Sequence, residues 1–430
     1  MAPVRPSLKT FLATARKALA SPPTQTSAPL TFVLGNESAD LDSLCSAVLL
    51  AYFRSQIPPH TLHIPLSHLP RADLALRPEL NAVLRPAGVT NDDLLTLSDL
   101  PGAETLGPEN TRWLLVDHNA PTGELASRFM SREDSLIGCI DHHADEGKIP
   151  QDVSSRSAGG PRVIERSGSC MSLVVDHCRS TWEKLSSSSS PSSQDIEIDA
   201  QLAHLALGPI LIDTTNLTSK DKTTEWDISA VKFAESMMAA PISTLSTNSH
   251  DSNNQGSPYS RSKYFDQITH LKEEIKSLSY CDLLRKDYKQ WTEGPLTLGT
   301  CVIMRGFSYL LQEIGPKEEF LSAIQKWKDE QGLDLVAVMT VSKQEGEFTR
   351  ELLVWAFGET AIRVARQFVD DFGDKLGLER WNSGSGELDL DDGQEGQGWR
   401  MCWRQRGVES SRKQVAPMLR NAINKVGSKL

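Results

Sequence analysis

TFVLGNESADLDSLCSAVLLAYF, residues 31–53, runs from an apolar β-like segment through a small polar turn into a helical pattern. The turn sets Asp40 and Asp42 one residue apart, just after Asn36. Downstream, strand-like runs (TLHIPL, WLLVDH, SLIGCIDHH and ALGPILIDTT) alternate with helical stretches. That alternation predicts an α/β fold, a mostly parallel sheet with helices on both faces, in which ligands gather at the carboxyl ends of the strands.

The 430 residues exceed what one compact core usually holds, so two domains are expected. Polar low-complexity tracts lie at Ser186–Gln194, Ser243–Ser262 and Ser383–Gly398. Such tracts bury too little apolar surface to order themselves. The middle one separates segments of different character and marks a flexible linker over 241–262. The catalytic α/β domain is expected over 31–240 and a smaller α+β domain over 263–430. In the latter YFDQITHLKEEIKSL and KEEFLSAIQKWKDEQ read as helices, and LTLGTCVIMRG, LDLVAVMTVSK and RELLVWAFG as strands. Residues 1–30 read as a helix and linker: Leu8, Phe11, Leu12, Ala15 and Leu19 fall at helical spacing. With Arg5, Lys9, Arg16 and Lys17 and no acid before Glu37, the same segment has the composition of a mitochondrial transit peptide, the alternative to a surface helix.

A net charge of −11 argues against a general nucleic-acid coat. The apolar runs fall far short of the roughly 20 residues that span a bilayer, so no membrane segment is expected. Seven cysteines lie singly with no CxxC pair, which excludes a disulfide framework or thiolate zinc site and suggests a reducing, cytoplasmic setting.

Four apolar runs of the first domain end in acids: Asp40 and Asp42; Asp117 with His118; Asp141 with His142 and His143; and Asp213. Singly, each reads as a helix cap or turn residue. Four strands ending in the same ligand chemistry read together as one metal site. Carboxylates with imidazoles and no thiolate favour Mg²⁺ or Mn²⁺. Two such ions roughly 3.5–4 Å apart can lower the pKa of a water between them and stabilise an in-line phosphoryl displacement. The predicted reaction is metal-assisted hydrolysis of a phosphate ester or anhydride. RSGSCMSLVVDHC opens a helix whose SGSC start offers N–H groups to a phosphate or forms an ordinary cap. No GxxxxGK[ST] loop or complete GxSxG elbow occurs. Basic groups suited to a polyanion lie in the second domain: Arg285, Lys286 and Lys289, and Arg404, Arg406, Arg412 and Lys413.

The ordered motifs GNESADLDS, VDHN, DHH, LIDTTN, KDYKQW and SSRKQVAP resemble those of the DHH phosphoesterase superfamily, in the branch holding family II inorganic pyrophosphatases, yeast-type cytosolic exopolyphosphatases and prune proteins. The resemblance runs from Thr31 nearly to the C-terminus. It implies that Asp40 and Asp117 bind one ion while Asp42, Asp117, His142 and Asp213 bind the other, with Asp117 bridging. It implies further that Asp141 supports the histidines, that His143 faces the substrate, and that Lys289, Arg412 and Lys413 bind phosphate. Where the pyrophosphatases have a metal-binding histidine this chain has Asn36, as the exopolyphosphatases do, which assigns Asn36 to the substrate side and leans the first ion toward Mg²⁺. The expected activity is an exopolyphosphatase acting on inorganic polyphosphate, with Asp117, His143, Lys289 and Arg412 in catalysis. The alternatives are a manganese-dependent pyrophosphatase and a prune-like phosphodiesterase or interaction protein. DHH nucleases carry a GGGH-like motif that this chain lacks, so no nucleic-acid partner is expected.

Overall fold

The computed structural model describes residues 5–21, 28–102, 105–155, 160–187, 192–238, 259–276, 278–344, 346–381, 388–390 and 398–427. Most of the expected linker and of the acidic tract ELDLDDGQEG lie outside these residues. Two compact units divide the chain, Met1–Leu271 and Lys272–Leu430.

The first unit begins with α1 (Leu8–Ala20), capped by Ser7 and burying the apolar stripe predicted for it. Arg5, just before it, donates to Asp199 at 2.6 Å, an ion pair closed off from water. The expected surface helix is therefore part of the core. The strands β1 (Leu30–Leu34), β2 (His63–Leu66), β3 (Thr111–Val116), β4 (Leu136–Asp141) and β5 (Arg162–Ile164) form one sheet in the order β2-β1-β3-β4-β5. Every pairing is parallel, so the strands end on one edge. Between β1 and β2 runs α2 (Leu41–Gln56), in which every residue except Arg54 and Gln56 is buried. A helix so apolar on all sides belongs to the centre of a domain. It packs against α5 (Cys170–Ser186) and α6 (Ser193–Asp213), and these in turn against α7 (Glu225–Met238). The short α3 (Pro78–Leu84) and α4 (Gly123–Phe129) complete the segments between β2 and β4.

One strand assignment fails. ALGPILID is the end of α6, a helix of 21 residues, with Pro209 inside it. An apolar run of eight cannot be assigned by periodicity, and the helix is sheathed by others, so it needs no polar face. Asp213 therefore ends a helix, while the other three acid-bearing segments follow strands as expected.

The helix α8 (Arg261–Glu273) buries Tyr264 and Ile268 in the core of the first unit, although the sequence reading placed it after the linker. Its Tyr264 ring packs on His204 of α6, and the Tyr264 hydroxyl donates to the His204 carbonyl at 3.0 Å.

The second unit follows with α9 (Tyr280–Lys286), β6 (Tyr288–Glu293), β7 (Leu296–Ile303), the single turn α10 (Phe307–Tyr309), α11 (Lys317–Gln331), β8 (Leu335–Gln344), β9 (Glu347–Ala356), α12 (Glu359–Leu376), β10 (Leu378–Arg380), β11 (Trp399–Gln405) and α13 (Arg412–Gly427). Its mixed sheet has the order β10-β11-β9-β8-β7-β6, with only β7 and β8 parallel. Alternate residues of β8 serve two cores: Val336 and Val338 face Phe320 and Trp327 of α11, while Leu335, Ala337 and Met339 join Phe368 of α12 and Leu419 of α13. The expected α+β unit is thus a sheet covered on both faces.

Candidate active site

The turn after β1 is tight. A Cβ on Gly35 would come within 2.8 Å of the Ser43 carbonyl oxygen, so the chain can pass the first turn of α2 only as glycine. Ala39 then takes a left-handed backbone (φ 46°), held by Arg77, whose guanidinium donates to the Ser38 and Ala39 carbonyls at 2.7 Å each. Asp40 caps α2 by accepting the Ser43 N–H at 3.0 Å. Asp42 lies in the first turn, buried, where the helix N-terminus favours a carboxylate.

Asp117 follows β3 in a left-handed conformation (φ 61°) with its N–H on the Ile140 carbonyl. Left-handed backbone outside glycine costs of order 1–3 kcal/mol and concentrates at functional sites. Its Oδ2 accepts from the Ser43 hydroxyl at 2.6 Å and the Asn36 amide at 2.7 Å. Its Oδ1 stands 3.2 Å from His142 Nε2 and 3.8 Å from His143 Nδ1. Ligand atoms of Asp117, His142 and His143 all lie within 4.8 Å of one another.

Both imidazoles are oriented from behind. The His142 Nδ1 donates to the Ser167 carbonyl at 3.1 Å, which leaves Nε2 unprotonated in the neutral ring and aimed at Asp117, with Asp42 Oδ2 at 4.0 Å. His143 Nδ1 donates to Asp141 Oδ1 at 2.7 Å, and that oxygen also accepts the N–H groups of His142 and His143. Asp141, itself fixed by Asn119, is fully buried; burial pushes its carboxyl up, yet the His143 hydrogen bond together with the charges of His143 and His142 outweighs this and holds it below its ordinary value. His118, expected to accompany Asp117, turns its Nδ1 to the Val116 carbonyl, and burial pushes it down to about 4. It stands outside the three-residue group.

Asp42 is held by the Ser46 and Ser169 hydroxyls and by the N–H groups of Cys170 and Met171, the latter two at 2.7 and 2.8 Å. The SGSC helix start, predicted to greet a phosphate or form a plain cap, thus directs the Cys170 N–H, with that of Met171, to Asp42, and the Gly168 and Ser169 N–H groups to Asp227. Burial, and then the nearby charges of Asp117 and Asp213, push the Asp42 carboxyl well above its ordinary value. Asp213, at the end of α6, precedes three left-handed residues, Thr215, Asn216 and Leu217. Asn36 sits inside this cluster, 5% exposed, with its carbonyl oxygen taken by the Ser38 N–H and its NH₂ directed to Asp117. This geometry makes it a brace for Asp117, where the sequence reading placed it against substrate.

The donor set suits a hard or borderline divalent cation. Carboxylates crowd one another there, an imidazole nitrogen faces them, and the nearby thiols turn away, Cys170 to the Ile140 carbonyl and Cys139 to the His118 carbonyl.

In the second unit, Arg412 at the start of α13 donates to the carbonyl and Oδ1 of Asp287 at 2.8 and 2.7 Å. Burial pushes Asp287 up, but Arg412, Lys289 and Lys272 outweigh it and hold the carboxyl below its ordinary value. Arg412 and Lys289, predicted from separate motifs, therefore meet around one acid, while Lys413 is exposed one residue on. Arg285 and Arg406 instead join surface ion pairs with Asp282 and Glu379.

The sequence reading missed Ser43, Asn119, Ser169 and Asp287, which hold the predicted residues in place. Ser43 and Ser169 carried no signal beyond their helix starts. Asp287, next to the basic LLRK run, was visible as its one acid.

Comparison with known proteins places these features. Residues 31–210 match the DHH family N-terminal domain and residues 266–422 the DHHA2 domain. A candidate exopolyphosphatase of Schizosaccharomyces pombe is 31% identical over 96% of both chains. Exopolyphosphatase PRUNE1 of Bos taurus is 23% identical over 93% of this chain and 77% of its own. In fold the chain is similar to a candidate family II inorganic pyrophosphatase of Methanococcus jannaschii (TM-score 0.53, 20% identity, covering 92% of this chain and all of that one). With its acidic sheet edge, its DHH segment and a DHHA2 domain following in the sequence, the chain belongs to the DHH family.

Proposed function

We propose that this chain is an exopolyphosphatase that releases terminal orthophosphate from inorganic polyphosphate. The observation that carries the reading is the match along 96% of both chains to a candidate exopolyphosphatase. Asp40, Asp42, Asp117, His142 and Asp213 would hold two divalent ions, Mg²⁺ or Mn²⁺, with Asp117 between them. Such ions supply Lewis acidity toward phosphoryl oxygens and lower the pKa of water. The chain's own residues do the rest. Asn36 and Ser43 fix one Asp117 oxygen and leave the other toward the imidazoles. His143, tethered through Nδ1 to Asp141 and 24% exposed at its side chain, would carry a proton at Nε2 in its imidazolium form and in that form give it to the leaving phosphate oxygen. Lys289, Arg412 and Lys413 bind the remaining phosphates. The free cysteines, six of them buried, suit a reducing compartment, which we take to be the cytoplasm; among the described residues no helix is long and apolar enough to cross a membrane.

A pyrophosphatase reading draws on the likeness of fold, and Asn36 in place of histidine disfavours it. The test is one assay of orthophosphate release from pyrophosphate, tripolyphosphate and long-chain polyphosphate, with a short oligonucleotide as the outgroup. Faster turnover of the polymers supports the exopolyphosphatase; faster turnover of pyrophosphate replaces it with the pyrophosphatase.

A further inference from the structure

Asp227 belongs to none of the motifs that announce the site, yet it is fully buried and takes five hydrogen bonds. Two come from Thr224, N–H at 2.7 Å and hydroxyl at 2.8 Å, which is how the third residue of a helix answers its cap residue. Capping alone would end the account there. The other three come from a different part of the chain: the N–H groups of Gly168 (2.9 Å) and Ser169 (3.2 Å) and the hydroxyl of Ser172 (2.6 Å).

Those residues form the start of α5 that carries the site. The Ser167 carbonyl receives His142 Nδ1, and the Ser169 hydroxyl with the Cys170 and Met171 N–H groups receives Asp42. Gly168 is wedged among its neighbours: a Cβ there would meet Thr214 Cγ2 at 2.7 Å and Asp227 Oδ2 at 2.9 Å. Thr214 is the residue after Asp213. One carboxylate thus holds the segment behind Asp42 and His142, and that segment passes close to Thr214, the residue after Asp213. Five donors converging on two oxygens require an acceptor-only side chain, because an amide would turn NH₂ toward some of them.

We infer that Asp227 is a positioning residue of the metal site, acting through Gly168, Ser169 and Ser172 on the orientation of His142 and Asp42. The inference rests on the reading of His142 and Asp42 as metal-binding groups. Groups that hold metal-binding side chains from behind typically contribute about 10- to 100-fold to metal affinity or activity.

The experiment titrates Mn²⁺ into the full-length chain and follows the free-ion signal by electron paramagnetic resonance, with Asp227→Asn, Ser172→Ala and Glu351→Gln beside the wild type. Glu351 is a buried acid of the second unit that accepts from the Phe307 N–H, Thr340 hydroxyl and Trp381 indole. Asp227→Asn is expected to weaken Mn²⁺ binding about 10- to 100-fold, to speed amide exchange over 167–171 in the metal-free chain, and to recover turnover as Mn²⁺ is raised. Ser172→Ala, which removes one of the five bonds, is expected to shift affinity the same way by a few-fold, and it decides the matter if Asp227→Asn does not fold. Glu351→Gln is expected to lower the melting temperature with Mn²⁺ affinity unchanged. Unaltered Mn²⁺ affinity in both Asp227→Asn and Ser172→Ala overturns the inference, as does an equal loss in Glu351→Gln. Failure of the wild type to cleave polyphosphate would overturn the functional reading and leave the Mn²⁺ comparison standing.

Discussion

The two units of this chain treat acidic side chains in opposite ways. At the carboxyl edge of the first unit's sheet, Asp42 is surrounded by hydroxyls, N–H groups, an imidazole and further carboxylates; burial, and then the charges of those carboxylates, push its own carboxyl well up. In the second, Asp287 is ringed by Arg412, Lys289 and Lys272 and held down, and Glu293 of β6 is paired with Arg420 at 2.5 Å. Acids crowded together remain in a folded protein where something else supplies positive charge. The first sheet gathers at its edge acids whose crowding suits a cation, whereas these acids of the second unit already have cationic side chains beside them.

The sharpest way to break this contrast is Asp117→Asn, which keeps the shape and a residue type that tolerates left-handed backbone while removing the charge. Orthophosphate release should fall by more than the roughly 100-fold that supporting groups of a metal site cost, and the rise in melting temperature on adding Mn²⁺ should vanish with it. Retained activity would mean that the acidic edge is structural. Next in size, Arg412→Ala should raise KM for polyphosphate roughly 10- to 100-fold, the value of a charge-assisted hydrogen bond or two, with a smaller change in kcat measured by phosphate release. An unchanged KM would confine Arg412 to bracing Asp287. The smallest effect concerns His204 of α6, beside Tyr259 and Tyr264, which burial pushes down to about 4. A histidine kept neutral in the fold gives stability that is present above its unfolded value of about 6.5 and is lost as pH falls from there toward 4. His204→Phe should flatten that part of the acid-unfolding curve, followed by circular dichroism, and leave the neutral melting temperature within a few degrees.

Much of the site was legible because its residues sit where apolar runs stop. Asp40, Asp42, Asp117 and the DHH segment could be placed at one edge from the sequence, since parallel strands share an edge by construction. Asp213 was found for a partly wrong reason: its run is helical, and only the packing of Gly208 against Val83 and the covering of α6 by other helices explain why no polar face interrupts it. The long α12 went unread although Ala361, Val364, Ala365 and Phe368 repeat at helical spacing. What no reading of composition or spacing could reach was the direction of side chains. Nothing in GNESAD says that Asn36 turns its NH₂ to Asp117, or that the SGSC helix start is already committed to a carboxylate 128 residues away.

The left-handed turn at Ala39 has a consequence for anyone wishing to move this chemistry to another scaffold. Its shape is kept by Arg77, from the start of α3, and the acid it presents is held by the start of α5, so the nine letters GNESADLDS do not carry their geometry with them. The portable unit is the whole sheet edge with its two helix starts, and a peptide bearing the motif alone would be an ordinary acidic loop.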